Sequence, residues 1–94
     1  MNEFFESLGR LWTKAAERRG VKVEAPLLDP RVAAELLELA RVTSHTKERR
    51  FAPLATYTAG IAAERLREAK DLEPEAIAAY IREVREALEK EDPA

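Results

Sequence analysis

Four stretches of helical periodicity, each ended or opened by a glycine or proline break, constrain this chain more than any other feature. The breaks are Gly20, Asp29-Pro30, Pro53 and Asp71-Leu72-Glu73-Pro74. Proline is tolerated in the first turn of a helix but not inside it, and glycine commonly follows the last turn. The spacing therefore predicts a first helix from about Asn2 to Arg19, N-capped by Asn2 and ended by Gly20. A second runs from the Asp29 cap and Pro30 to about Ser44 or His45, a third from Pro53 to about Lys70, and a fourth from about Pro74 to Lys90. No run alternates with period two, and 17 alanines, 11 leucines, 15 glutamates and 11 arginines are strong helix formers. The expectation is an all-α fold: a single small domain of four helices, bundle-like, whose short connections favour antiparallel neighbours. It spans residues 1–94, with a core over about 2–90 and a short tail at 91–94.

The periodicity also assigns faces. Phe4, Phe5, Leu8, Leu11, Trp12 and Ala15 share one side of the first helix and are expected in the core; Trp12 with Phe4 and Phe5 would otherwise form an exposed aromatic patch. Val21, Val23, Leu27 and Leu28 predict that the connector 21–28 packs against the core. Val32, Ala33, Leu36, Leu37, Leu39, Ala40 and Val42 cover more than one stripe, which makes the second helix the central, most buried one. In the third, Leu54, Tyr57, Thr58, Ile61, Ala62 and Leu66 are expected to face inward. Gly60 costs about 1 kcal/mol against alanine in a helix interior, which a close helix–helix approach would explain. The fourth has an apolar stripe of Ile77, Ile81, Val84 and Leu88 with Tyr80 beside it. Its other face pairs Arg82–Glu86, Arg85–Glu89 and Glu86–Lys90. It is expected to be the most exposed helix, or to complete a homodimer.

Composition excludes several classes. With no cysteine there are no disulfides, thiolate zinc sites or cysteine nucleophiles, and one histidine excludes a His-rich metal site. No metal or cofactor is expected. The N-terminal Met-Asn-Glu-Phe-Phe-Glu carries acids where a signal peptide needs bases, and no apolar run approaches the ~18–20 residues of a spanning helix. The expected location is cytoplasmic, with no membrane partner. One asparagine, no glutamine and 11 arginines against 5 lysines fit a thermophile, a bias that a GC-rich genome also produces. A net charge of −2 argues against nucleic acid as a partner. The charge is uneven: residues 41–51 carry a local +3 and residues 71–92 a local −5.

The segment Thr43 to Pro53 is the best candidate for a site. Lys47, Arg49 and Arg50 precede the free N–H groups of the third helix, and Thr56 adds a hydroxyl on its first turn. Such a set fits a phosphate-bearing small molecule. The same residues equally fit a solvated turn that caps the second helix. His45 reads as a helix-end imidazole bonded to a carbonyl or as a general base with Glu48 near it. Phe51 either plugs the end of the bundle or is a contact residue. Glu64 and Glu68 read as a solvated face. No Gly-rich phosphate loop, Ser-His-Asp order or metal-ligand spacing is present, so a non-catalytic role is favoured over an enzyme.

The stretch from Leu39 to Gly60 resembles a small helical bacterial domain of unknown function, common in actinobacteria. Ala40, Arg41, His45, Glu48, Arg49, Ala52, Pro53, Leu54, Thr56 and Gly60 carry the likeness, with Trp12 upstream, and it covers about residues 12–66. Arg50 and Phe51 replace the family's proline and alanine, and Ala55 replaces one of two threonines. Members often occur beside, or fused to, molybdenum-cofactor guanylyltransferases. The resemblance therefore implies an accessory role near molybdoenzyme maturation, and the chain is expected to be a non-catalytic accessory or protein-interaction module whose partner is another protein or, as a thin-cored helical domain allows, a second copy. It makes His45, Glu48, Arg49 and Thr56 the residues of any functional surface. The alternative is an anion- or nucleotide-binding domain using the basic loop 47–50 and the N-terminus of the third helix.

Overall fold

A computed structural model describes residues 2–91. They form four α-helices: α1 (Glu3–Arg18), α2 (Pro30–Thr46), α3 (Ala52–Ala69) and α4 (Pro74–Glu89), with a 3-10 turn at Arg49–Phe51. No strand occurs among the described residues. The all-α expectation and the four helices stand, because the capping and proline signals that set their limits are local. The chain divides into two compact units, residues 1–30 and residues 31–94. Of the tail expected at 91–94, all but Glu91 lies outside the described residues.

In the first unit the Asn2 side chain accepts a hydrogen bond from the Phe5 N–H at 3.2 Å and so caps α1. At the other end Val21 N–H donates to the Ala16 carbonyl at 3.0 Å and Gly20 N–H to the Glu17 carbonyl at 2.9 Å. This Schellman motif needs the positive φ of Gly20, 76°. Gly9 is the buried residue of α1. A Cβ there would lie 3.4 Å from the Ala25 Cβ, so the extended Ala25-Pro26 segment rests on the helix where the side chain is missing. The aromatic stripe does not enter a core as expected. Phe4 and Leu11 are exposed, Trp12 is 57% exposed, and Phe5, Leu8 and Ala15 are half-buried. The connector is corrected as well: Val21 and Val23 are exposed and Leu27 is 94% exposed. A unit built on one helix has no second helix of its own to cover so wide a stripe.

In the second unit, Leu39 from α2, Ala63 from α3, and Ile77 and Ile81 from α4 form the buried cluster. Leu36, Ala55, Ala59, Leu66, Leu72 and Leu88 pack around it. Within this unit Cα atoms of α3 and α4 come within 8 Å of each other. The reason lies on α3, whose inner face is alanine: Ala55, Ala59 and Ala63. Its large residues point the other way. Leu54 and Tyr57 are 62% and 63% exposed, and Ile61 and Thr58 are exposed too, so the expected inward face holds only for Ala62 and Leu66, both half-buried. Gly60 is also exposed with nothing within 4 Å of an added Cβ, so no close helix contact explains it.

The second helix is indeed the most buried, with Leu39, Val42, Thr43 and Thr46. The exception is Leu37, 72% exposed. The two buried threonines donate to the Leu39 and Val42 carbonyls, each at 2.8 Å, so neither hydroxyl is unsatisfied. The fourth helix is not the most exposed one: Ile77, Ala78 and Ile81 are all buried, and only Val84 of its expected stripe is exposed.

Ion pairs join α2 to α4 along their length. Arg31 pairs with Glu75, Glu35 with Arg82 at 2.9 Å and Arg85 at 3.2 Å, Arg41 with Glu89 at 3.7 Å, and Lys47 with Glu91 at 3.0 Å. Both residue numbers rise together, so α2 and α4 run parallel, with α3 antiparallel between them in the chain. Of the pairs expected along α4, Arg85–Glu89 forms at 3.1 Å, while Arg82 turns to Glu35 instead. Partial burial pushes the Glu35 carboxyl up, but hydrogen bonds from Arg82 and Arg85 and their charges outweigh it and hold the carboxyl below its ordinary value. Bonds to Glu89 and Glu35 likewise raise the Arg85 guanidinium above its ordinary value. Arg85 Nε is buried without a hydrogen-bond partner among the described residues.

Two predictions follow from this packing. Ile81→Ala should lower stability by about 2–4 kcal/mol in a denaturant titration, whereas Leu37→Ala, on the outside of α2, should shift it by no more than about 0.5 kcal/mol. Because Glu35 has a lowered pKa when folded, its stabilising effect is present above the ordinary glutamate pKa and lost as pH falls through the folded value. Glu35→Gln should therefore melt lower than wild type near neutral pH, and the gap should narrow and close as pH falls below the ordinary glutamate range.

Candidate functional site

The six residues singled out by the sequence run from the last turn of α2, through the connection and the 3-10 turn, into the start of α3. The connection is shorter than the expected loop 46–52, because α2 continues to Thr46 and the 3-10 turn begins at Arg49. His45 is exposed on the last turn of α2. Lys47 is half-buried; its N–H closes the helix on the Thr43 carbonyl at 2.9 Å and its amine meets Glu91. Glu48 accepts from Arg50 Nε at 3.2 Å, and the Arg50 guanidinium lies 5.7 Å from the centre of the Phe51 ring. Phe51 is therefore exposed at its own turn beside Arg50 rather than a plug. Arg49 is exposed and has no ion-pair partner among the described residues. Thr56 Oγ1 donates to the Pro53 carbonyl at 2.9 Å, which uses its proton inside the first turn of α3.

These residues lie near one another in the chain, but their side chains turn to different surroundings. His45 and Arg49 are exposed, Lys47 is tied to Glu91, and Glu48 is tied to Arg50. Among the described residues no group of three or more His, Cys, Asp or Glu is placed to hold a metal ion. No helix among them is long and apolar enough to cross a membrane.

A second surface was not singled out by the sequence. A groove of about 300 Å³ opens between the three helices of the second unit. Leu39 and Thr43 of α2 form one wall, Ala55, Thr58, Ala59 and Ala62 of α3 the floor, and Tyr80, Ile81, Val84 and Leu88 of α4 the other wall. It is apolar, and two of its three hydroxyls face away from any visitor. Thr43 donates to the Leu39 carbonyl at 2.8 Å and Thr58 to the Ala55 carbonyl at 2.7 Å. Both threonines thus present methyl groups, and the Tyr80 hydroxyl is the remaining polar group. The sequence signal that could have located the groove is the alanine row at positions 55, 59 and 62 of α3. Missing side-chain volume on one helix face leaves space unless a neighbouring backbone closes over it.

A further shallow depression lies on the other face of α3, lined by Thr56, Tyr57, Gly60, Ile61, Glu64, Arg65 and Glu68. Gly60 there is open to solvent. Gly60→Ala should raise the melting temperature of dilute protein, equivalent to about 0.4–1 kcal/mol, since it meets no neighbour and removes backbone freedom from the unfolded chain.

Residues 6–94 of this chain match the family described as domain of unknown function DUF6457, and the chain belongs to that family. No curated protein and no solved structure matches it.

Proposed function

We propose that this chain is a non-catalytic accessory module that binds another protein through the apolar groove between α2, α3 and α4. The groove itself is the observation that supports this reading. Its volume suits one or two large apolar side chains. An amphipathic helix of a partner presents such side chains at spacings of three and four. With the two threonines bonded to their own helices, the walls offer methyl and aromatic contacts rather than groups that would orient a polar substrate. The resemblance of residues 12–66 makes a molybdenum-cofactor guanylyltransferase the partner proposed first.

The alternative is a phosphate-bearing ligand held by Arg49, Arg50 and the N–H groups that open α3. One observation favours it: Arg49 has no competing ion-pair partner among the described residues. A single experiment separates the two. In a nuclear magnetic resonance titration of the full chain with the guanylyltransferase, amide shifts are expected at Ala59, Ala62, Tyr80 and Val84. Val84→Arg, at the exposed rim of the groove, should weaken binding by about tenfold or more while leaving the helical spectrum intact. If the guanylyltransferase produces no shifts, the molybdenum-cofactor link falls. If inorganic phosphate or a nucleotide shifts residues 49–56 and raises the melting temperature, and Arg49→Ala abolishes both, the function moves to the basic turn.

A further inference from the structure

We propose that α1 is an interfacial helix that lies along an anionic lipid surface, with Phe4, Leu8, Leu11 and Trp12 at the acyl chains and a basic border at the headgroups. Phe4, Leu8 and Leu11 are spaced by four and three, and Phe5, Leu8 and Trp12 by three and four, so they form one stripe. Phe4, Leu11 and Trp12 are nevertheless each more than half exposed. The Phe4 and Phe5 rings stand edge to face with their centres 5.0 Å apart. The Trp12 indole N–H has no hydrogen-bond partner among the described residues. Tryptophan and phenylalanine on one face of a charged helix suit a membrane–water boundary, which takes the rings into its apolar side and the indole N–H at the headgroups. The expectation of no membrane partner rests on a missing signal peptide and spanning run, and a helix lying in the interface needs neither.

Charge selects the occupant. Lys14 lies three residues beyond Leu11 and Arg18 three beyond Ala15, so both border the stripe. Arg19 turns back to donate from Nη1 to the carbonyl of Ala15, on the stripe itself, at 3.0 Å. Lys22 follows in the connector. All four cations are exposed, and none has an ion-pair partner among the described residues. Of the carboxylates in α1, Glu6 and Glu17 share the far row with Arg10, at spacings of four and seven, and Glu3 alone borders the stripe, at its other end. A negatively charged lipid surface meets the four cations together and leaves Glu6 and Glu17 in water. A second copy laid on the same stripe would bring two carboxylates, Glu3 and Glu24, to four cations, and like charges would face each other for the rest. The apolar stripe supplies insertion, and the basic border supplies the preference for anionic lipid. The stripe belongs to the first unit and the groove to the second, so the failure of one reading does not decide the other.

The test uses the fluorescence of Trp12, the one tryptophan of the chain. The full chain is titrated with vesicles of phosphatidylcholine alone and of phosphatidylcholine and phosphatidylglycerol in equal parts. A blue shift of the emission is expected with the mixed vesicles, smaller with phosphatidylcholine alone, and weakened by salt. Leu11→Glu should lower the partition coefficient by about tenfold or more, with an unchanged circular-dichroism spectrum in the absence of lipid, because Leu11 is exposed. Lys14→Glu combined with Arg18→Glu should remove the preference for the anionic vesicles. No shift with either vesicle would overturn the proposal, as would equal shifts with both or a shift indifferent to Leu11→Glu. A blue shift that grows with protein concentration in the absence of lipid would put a second copy on the stripe instead, and would overturn it too.

Discussion

The close approach of α3 to α4 governs the second unit. It is possible because α3 turns alanines, not its large residues, toward Ile77 and Ile81. Once Ala59 and Ala63 are on the inside, helical geometry leaves Leu54, Tyr57 and Ile61 no place but the outside, since residues two apart point to nearly opposite sides. The same choice creates the groove. A floor of alanines fills less space than the leucines and isoleucines around it. Small residues on one face thus give the unit a tight α3–α4 contact, an open apolar groove and an exposed apolar stripe together.

Long side chains join α2 to its neighbours. Leu36 and Leu39 reach inward to the cluster, and arginines and glutamates span α2 and α4 on the outside. These ion pairs add little stability where they are exposed. Glu35 is different: its side chain is 13% exposed and it holds two arginines at once. Truncating it would leave the half-buried Arg85, whose Nε already lacks a partner, with only Glu89 to hold its charge. The pairs also specify direction. Only a parallel arrangement places Arg31, Glu35, Arg41 and Lys47 opposite Glu75, Arg82, Glu89 and Glu91 in order, so the ladder favours this topology over a slipped one.

How far the sequence could be read follows from the range of each signal. Helix limits were legible because caps act within a few residues: Asn2 with Phe5, Gly20 with Glu17, prolines at the starts of α2, α3 and α4. Facing was legible on α4, where Ile77 and Ile81 have no rival stripe. It was misread on α3 because the sequence offers two stripes, one large and one small, and hydrophobicity alone prefers the large one. What decides is the size of the space between helices, a property of α4 and α2 that α3 does not encode. Trp12 failed for a related reason, since a stripe says only what one helix could bury. The basic segment 45–50 was found by composition, but the turn came out shorter than expected, because α2 runs on to Thr46 and a 3-10 turn begins at Arg49. The pairing of Lys47 with Glu91 and of Arg50 with Glu48 and Phe51 was not legible, because those choices depend on where α4 ends and how the turn folds.

Size sets the last constraint. A domain of about 60 residues buries a smaller share of its apolar surface than a larger one, and three helices cannot enclose every apolar side chain that their helical periodicity supplies. The surplus could have been scattered. Instead it is gathered into a groove on one side of α3 and a stripe on the other. A chain selected only to fold would be expected to replace Leu54, Tyr57 and Ile61 with polar residues, which cost nothing in this core. Their place on the outside follows from the alanine face turned inward, and the groove is the apolar surface on which the proposed binding of a partner rests.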